Sequence, residues 1–159
     1  MKKAFFPFLL AFAATSLFAL PVRAADEAAE LNDLPAAVQK TARDVVGKSK
    51  IEEVEDTFED GKRATEVEFL RGGKKMAVVI SPEGSVIQLE HRMSVGDAPK
   101  KIKEAVLKEV PGSTLTFIKE VEKQGKTFFE VSVQSEGKPQ RLKVTADGHV
   151  EKLGAKEKH

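Results

Sequence analysis

The sequence predicts an α+β protein of two tandem repeats, each one helix followed by a four-stranded antiparallel meander. Three observations carry this. First, "DGKRATEVEFLRGGKK" (Asp60–Lys75) and "QGKTFFEVSVQSEGKP" (Gln124–Pro139) share a Gly-Lys, three-residue, Glu-Val, Gly-Lys pattern displaced by 64 positions. Second, sliding the chain by 64 aligns Asp33–Leu89 with Asp97–Leu153 without a gap, and 13 of the 57 pairs are identical. Third, the paired glycines Gly61/Gly125, Gly73/Gly137 and Gly84/Gly148 fall 12 and 11 residues apart, the cadence of short strands joined by tight turns.

Each repeat opens with a helix. Asp33 and Asp97 stand where a carboxylate can cap the first backbone N–H groups, and Pro35 and Pro99 stand in the first turn, where a missing N–H costs little. Leu34, Val38, Ala42 and Val45 form one apolar face; Ile102, Ala105, Val106 and Val110 form the other, spaced by three and four. Gly47 ends the first helix and Pro111-Gly112 the second. Lys100, Lys101, Lys103 and Lys108 make the wet face of the second helix.

Four strands follow in each repeat, expected near Ile51–Phe58, Ala64–Arg71, Lys75–Ser81 and Ser85–His91, and near Leu115–Glu122, Thr127–Gln134, Pro139–Thr145 and His149–Leu153. Val67 and Phe69 alternate with Glu66 and Glu68, and Phe129, Val131 and Val133 alternate with Glu130 and Ser132. Period-two alternation marks strands with one buried face, here the face under the helix. A unit of this size buries too little apolar surface to stand comfortably alone, so the two units are expected to pack together, linked by His91–Val95.

The N-terminus reads as a secretory leader. Lys2 and Lys3 precede an apolar run from Ala4 to Leu20, and Val22-Arg23-Ala24 offers small residues at the −3 and −1 positions of a cleavage site. The expected organisation is residues 1–24 signal peptide, 25–32 a flexible mature N-terminus, 33–91 the first repeat, 97–154 the second and 155–159 a C-terminal tail. No apolar run after the leader is long enough to span a membrane. The chain has no cysteine, so its stability must come from an ordinary core without disulfides. Without the leader, 23 basic residues face 25 acidic ones, a balance that argues against a nucleic-acid partner.

The helix-then-meander unit resembles the PepSY-like family, on Gly125, Phe129, Glu130, Val131 and Asp147-Gly148-His149-Val150, with Gly61, Glu66, Val67 and Glu83-Gly84-Ser85-Val86 in the first copy. The family places an aromatic residue where Phe129 stands; Thr65 departs from this in the first copy. Tandem copies of such units resemble the fold of the β-lactamase inhibitor protein. The resemblance implies binding or inhibition of a partner outside the cytoplasm, including peptidase inhibition, and brings no catalytic residues.

The residues themselves point the same way. His91, His149 and His159 show neither metal-ligand spacing nor a nucleophilic grouping, and the acidic stretch Glu52–Gly61 lacks the alternating ligands and closing glutamate of a calcium loop. No enzyme activity, metal or cofactor is expected. Glu66 and Glu68 read as solvent-facing on an exposed strand. On the sheet face away from the helix the first repeat offers Leu70, Ala77, Val79 and Ile87, where the second has Gln134, Arg141, Lys143 and Glu151. That contrast nominates Leu70, Ala77, Val79 and Ile87, with Glu66 and Glu68, as the contact surface for a protein or peptide of the cell envelope. The alternative is an envelope carrier for an apolar small molecule or a metal. The repeats also differ in charge: Leu34–Ser94 holds 10 basic and 11 acidic residues, and Ala98–His159 holds 13 and 9, so the molecule is polar along its length.

Overall fold

The structure is a computed structural model and describes residues 31–154. The expected signal peptide, residues 25–30 and the tail from 155 to 159 lie outside the described residues. Leu31, at the end of the stretch expected to be flexible, is buried against the first core.

Two helices, α1 (Ala36–Val46) and α2 (Lys100–Glu109), each precede four strands: β1 (Lys50–Glu59), β2 (Lys62–Arg71), β3 (Lys74–Ile80) and β4 (Val86–Met93), then β5 (Thr114–Lys123), β6 (Lys126–Ser135), β7 (Lys138–Thr145) and β8 (Val150–Leu153). The starts of β1, β2, β3 and β4 recur 64 residues later in β5, β6, β7 and β8. The eight strands form one antiparallel sheet in sequence order. The units therefore join edge to edge: β4 runs on to Met93, into the expected His91–Val95 link, and pairs directly with β5 through Leu89 opposite Glu122 and Met93 opposite Ile118.

Both helices lie on one face of the sheet. Val38, Ala42 and Val46 of α1 close over Val67, Phe69, Val78 and Ile80. Ile102 and Val106 of α2, with Val110 beyond it, close over Ile118, Val131, Val133, Leu142 and Val144. Burial of each such side chain contributes roughly 1.5–3 kcal/mol, so the two cores carry the fold.

The helix starts differ from expectation. Pro35 and Pro99 themselves stand at the N-cap positions, with no side-chain cap. Asp33 and Asp97 thus stand two residues before the N-cap positions and do not cap the helices. Gln39 Nε2 instead donates to the carbonyls of Asn32 and Leu34, at 2.9 and 2.8 Å, and Asp97 accepts the Ser94 hydroxyl at 2.7 Å. The hairpin turns follow the glycines: Asp60-Gly61, Gln124-Gly125 and Glu136-Gly137 all have positive φ at both residues, as two-residue turns matched to strand twist require.

The register contains three irregularities. Between Ile51 and Glu53 one residue of β1 is extra, and the same happens at the equivalent place in β5, between Leu115 and Phe117. The third has no counterpart. Ile80 pairs with Val86 and Val79 with Gln88, leaving Ile87 as an extra residue, whereas Lys143 and Glu151 pair without interruption.

Candidate site in the concave face of the sheet

The helix-free face is concave. Three strands separate β1 from β5 in the sheet, yet Lys123 Nζ at the end of β5 lies 2.6 Å from Glu59 Oε1 and 2.7 Å from Asp60 Oδ2 at the β1–β2 turn. The sheet curls until two hairpin ends meet. The space enclosed is a groove of about 890 Å³, lined by Glu55–Glu59 from the first strand, by Glu66, Val79, Gln88 and Glu90, and by Lys119, Glu130 and Arg141 from the second copy.

Its floor is apolar and closed. Val79 and Ala77 sit on the helix-free face, as strand parity predicts, but they are 1% and 5% exposed and Val121 is fully buried. They support the groove from beneath; the open apolar patch expected there does not exist. Leu70 is half-buried near the end of β2, opposite Lys75. Ile87 falls in the register shift and does not line the groove, because Gln88 and Glu90 take the groove-facing positions of β4.

The groove's chemistry is a network of charges held on strands. Lys119 Nζ lies 2.5 Å from Glu90 Oε1 and 3.4 Å from Glu130 Oε2. Arg141 reaches the same Glu130 oxygen at 3.0 Å, and Gln88 Nε2 donates to Glu90 Oε1 at 2.8 Å. Glu90 and Gln88 are both 5% exposed, so these partners are what makes their burial tolerable. Burial alone would lower the Lys119 pKa; the carboxylates of Glu90, Glu130 and Glu66 outweigh it and the net shift is upward. Lys123 behaves likewise: burial pulls its pKa down, hydrogen bonds to Asp60 and Glu59 raise it further, and the Asp60 carboxyl is lowered chiefly by the Lys123 hydrogen bond.

Glu66 and Glu68 correct the sequence reading in one respect. Both face the groove side, but neither is a freely solvated carboxylate: Glu66 is 8% exposed, and Glu68 is paired with Arg92 at 3.1 Å. Arg92 in turn lies over the Phe117 ring, 5.0 Å from its centroid. Sequence reasoning missed Gln88, Glu90, Lys119 and Arg141. The available signal was the charge reversal between copies, since Lys119 and Lys123 stand at the repeat positions of Glu55 and Glu59. Among the described residues no three His, Cys, Asp or Glu side chains are grouped to hold a metal ion, and no helix is long and apolar enough to cross a membrane.

No family model matches the chain, and no curated protein matches it in sequence. Solved structures match its fold. A Bacteroides eggerthii protein provisionally described as periplasmic aligns over 76% of this chain and 88% of its own, with a TM-score of 0.62 at 12% identity. A DUF2874 family protein from Bacteroides ovatus aligns over 75% and 87%, with a TM-score of 0.60 at 16% identity. A BLIP-like protein from Bacteroides fragilis aligns over 77% and 87%, with a TM-score of 0.58 at 13% identity. Two helix-plus-meander units joined into one eight-stranded sheet are thus the fold this chain has in common with BLIP-like proteins.

Proposed function

We propose that this chain is an exported, non-catalytic binding protein that receives a protein or peptide partner in its concave sheet face. The observation that carries the reading is the groove itself: a concave, charge-lined surface fixed on strands of both copies, with its charged side chains pre-positioned by one another. Pre-positioned groups lose little freedom on binding, which is the requirement for a rigid recognition surface. Glu66 and Glu68 form the contact wall contributed by the first copy, Leu70 extends it along β2 by strand parity, and Ala77 and Val79 hold it from below. The polar lining over a closed floor suits a protein surface better than an apolar small molecule.

The PepSY-like residues, the leader at Met1–Ala24 and the fold shared with a BLIP-like protein and a provisionally periplasmic one all favour a role in the cell envelope. Inhibition of a peptidase or another hydrolase by occlusion is the specific form of binding this fold suggests. The test is co-purification from envelope extract with the wild type and with Ser132→Trp; Ser132 lines the part of the concave face between Glu68 and Arg141, and a ring there obstructs it from β6. A partner that forms a 1:1 complex with the wild type and is lost from the equally stable variant supports the reading. Equal recovery by both places binding elsewhere and refutes it. N-terminal sequencing of the exported protein is expected to begin at Ala25; an intact Met1 would remove the export claim.

A further inference from the structure

β1 is the outermost strand of the sheet, and among the described residues no strand pairs with its outer edge. Its repeat partner β5 is an inner strand. There β4 covers the equivalent edge, antiparallel, from Gln88 opposite Lys123 to Met93 opposite Ile118. A shift of 64 places the covered stretch Ile118–Lys123 on Val54–Glu59 of the first copy. Both strands carry an extra residue just before this stretch, between Ile51 and Glu53 and between Leu115 and Phe117, so the stretch itself is regular in each.

The groove reaches that edge. Glu55, Asp56, Thr57, Phe58 and Glu59 all line it, although neighbouring side chains of a strand point to opposite faces. β2 occupies the other side of the same residues. A cavity bounded by five residues in a row therefore runs along the outer edge of β1, the side from which a further strand adds.

Charge narrows the occupant. β1 holds Glu52, Glu53, Glu55, Asp56 and Glu59 against Lys50, whereas β5 balances Lys119 and Lys123 with Glu120 and Glu122. Arg63, Lys75 and Lys123 pair with Asp56, Glu52 and Glu59, and the strand remains acidic. In the covered pair β4 sets Glu90 beside Lys119 and His91 beside Glu120; the first copy has Glu55 and Asp56 at those two places. The β1 of a second copy would bring carboxylates against carboxylates, and β8 is only 4 residues long.

Resting on the groove reading above, we propose that the Val54–Glu59 edge of β1 takes an extended, lysine- or arginine-bearing segment of the protein partner as an added antiparallel strand, in the place that β4 occupies beside β5. Main-chain hydrogen bonds hold the segment, and the acidic side chains select a basic one.

The test uses the chain from Ala25 to His159 and a peptide of three Val-Lys repeats, read by amide hydrogen exchange. Alternate amides of Val54–Glu59 are expected to exchange roughly tenfold more slowly with the peptide bound. Three Val-Glu repeats should bind about tenfold more weakly at low salt, a preference that fades as salt rises. The N-methylated Val-Lys peptide keeps its charges, loses its backbone donors and should protect nothing. The proposal is overturned by equal protection from either control peptide, by no protection at millimolar Val-Lys peptide, or by protection that spares β1. It is also overturned if every amide of the stretch already exchanges slowly in the free chain, which would mean that another part of the chain or a second copy covers the edge. An envelope partner that Ser132→Trp loses, but that leaves these amides unprotected, overturns strand addition and leaves the groove reading standing. Capture undiminished by Ser132→Trp removes the groove reading, and this proposal with it.

Discussion

Lys123 and Glu59 occupy the same position in the two copies, 64 residues apart, and their side chains meet with Nζ 2.6 Å from Oε1. A charge reversal at one repeat position has become a contact between the repeats. Asp60, the next residue, joins from the turn at 2.7 Å. This bridge ties two hairpin ends together across the mouth of the groove.

Removing it with Lys123→Met is expected to cost about 1 kcal/mol, since Asp60 is largely exposed and solvent weakens its share. The pH dependence has a definite sign. The Asp60 pKa is depressed, so its contribution is present above the ordinary carboxyl value of about 4 and is lost as pH falls through the folded-state value. The Lys123 pKa is raised, so its contribution is present below about 10.4 and is lost as pH climbs through the higher folded-state value. The stability difference between wild type and variant should be flat around neutrality and shrink at both extremes. A difference that peaks near pH 6.5 would point to histidine instead and contradict this account.

Lys119→Met strands Glu90, which is 5% exposed, and should cost roughly 3–5 kcal/mol in urea unfolding. Adding Glu90→Leu to the same chain should restore most of that loss, because an apolar pair of similar volume removes the desolvation cost. A double variant as unstable as the single one would show that the lysine matters through its packing and not through its charge.

Gly84 and Gly148 are repeat partners with different surroundings. Both have positive φ, at 86° and 93°. A Cβ at Gly84 would stand 2.8 Å from the Ala37 carbonyl oxygen, in backbone that cannot move aside, whereas at Gly148 the nearest atom is Lys101 Cε at 3.4 Å. Gly148→Ala should cost about 1–2 kcal/mol from backbone conformation alone. Gly84→Ala adds a clash and should cost at least ~1 kcal/mol more. Thermal unfolding of the two variants side by side decides it, and equal losses would mean that α1 is free to shift.

Strand parity is tested by Val67→Ala and Val131→Ala, at equivalent positions 0% and 1% exposed, each expected to cost on the order of 1–3 kcal/mol. Glu68→Ala, on the groove side with a partly exposed partner, should cost less than about 1 kcal/mol. If Glu68→Ala proves the most damaging of the three, the assignment of faces is wrong.

The repeat, the helix-then-strand order and the face of β2 were legible because each rests on local pattern: glycines at turns and alternation between Glu66-Val67 and Glu68-Phe69. The curl was not, because no short segment encodes it. It accompanies the joining of β4 to β5 into one sheet, whereas His91–Val95 read as a link between two units packed together and not as part of a shared strand pair. The burial of Glu66 and Glu90 was hidden for the same reason. A carboxylate on an outward strand position reads as wet until the sheet is known to bend around it. Ile87 was misplaced because the copies align without a gap, and nothing in the aligned residues marks an extra residue on one strand only.

That extra residue acts as a parity switch. Past Ile87 every side chain of β4 changes sides relative to an uninterrupted strand. Leu89 and Met93 consequently join the cores beneath the helices, and Gln88 and Glu90 enter the groove. Without it, two large apolar side chains would line the binding face and a glutamate would lie under the helices. β8 has no such switch, and Leu153, the repeat partner of Leu89, faces the groove side opposite Arg141. The inserted residue thus fits β4, an inner strand, to neighbours on both sides, while β8 without it keeps Leu153 on the groove side.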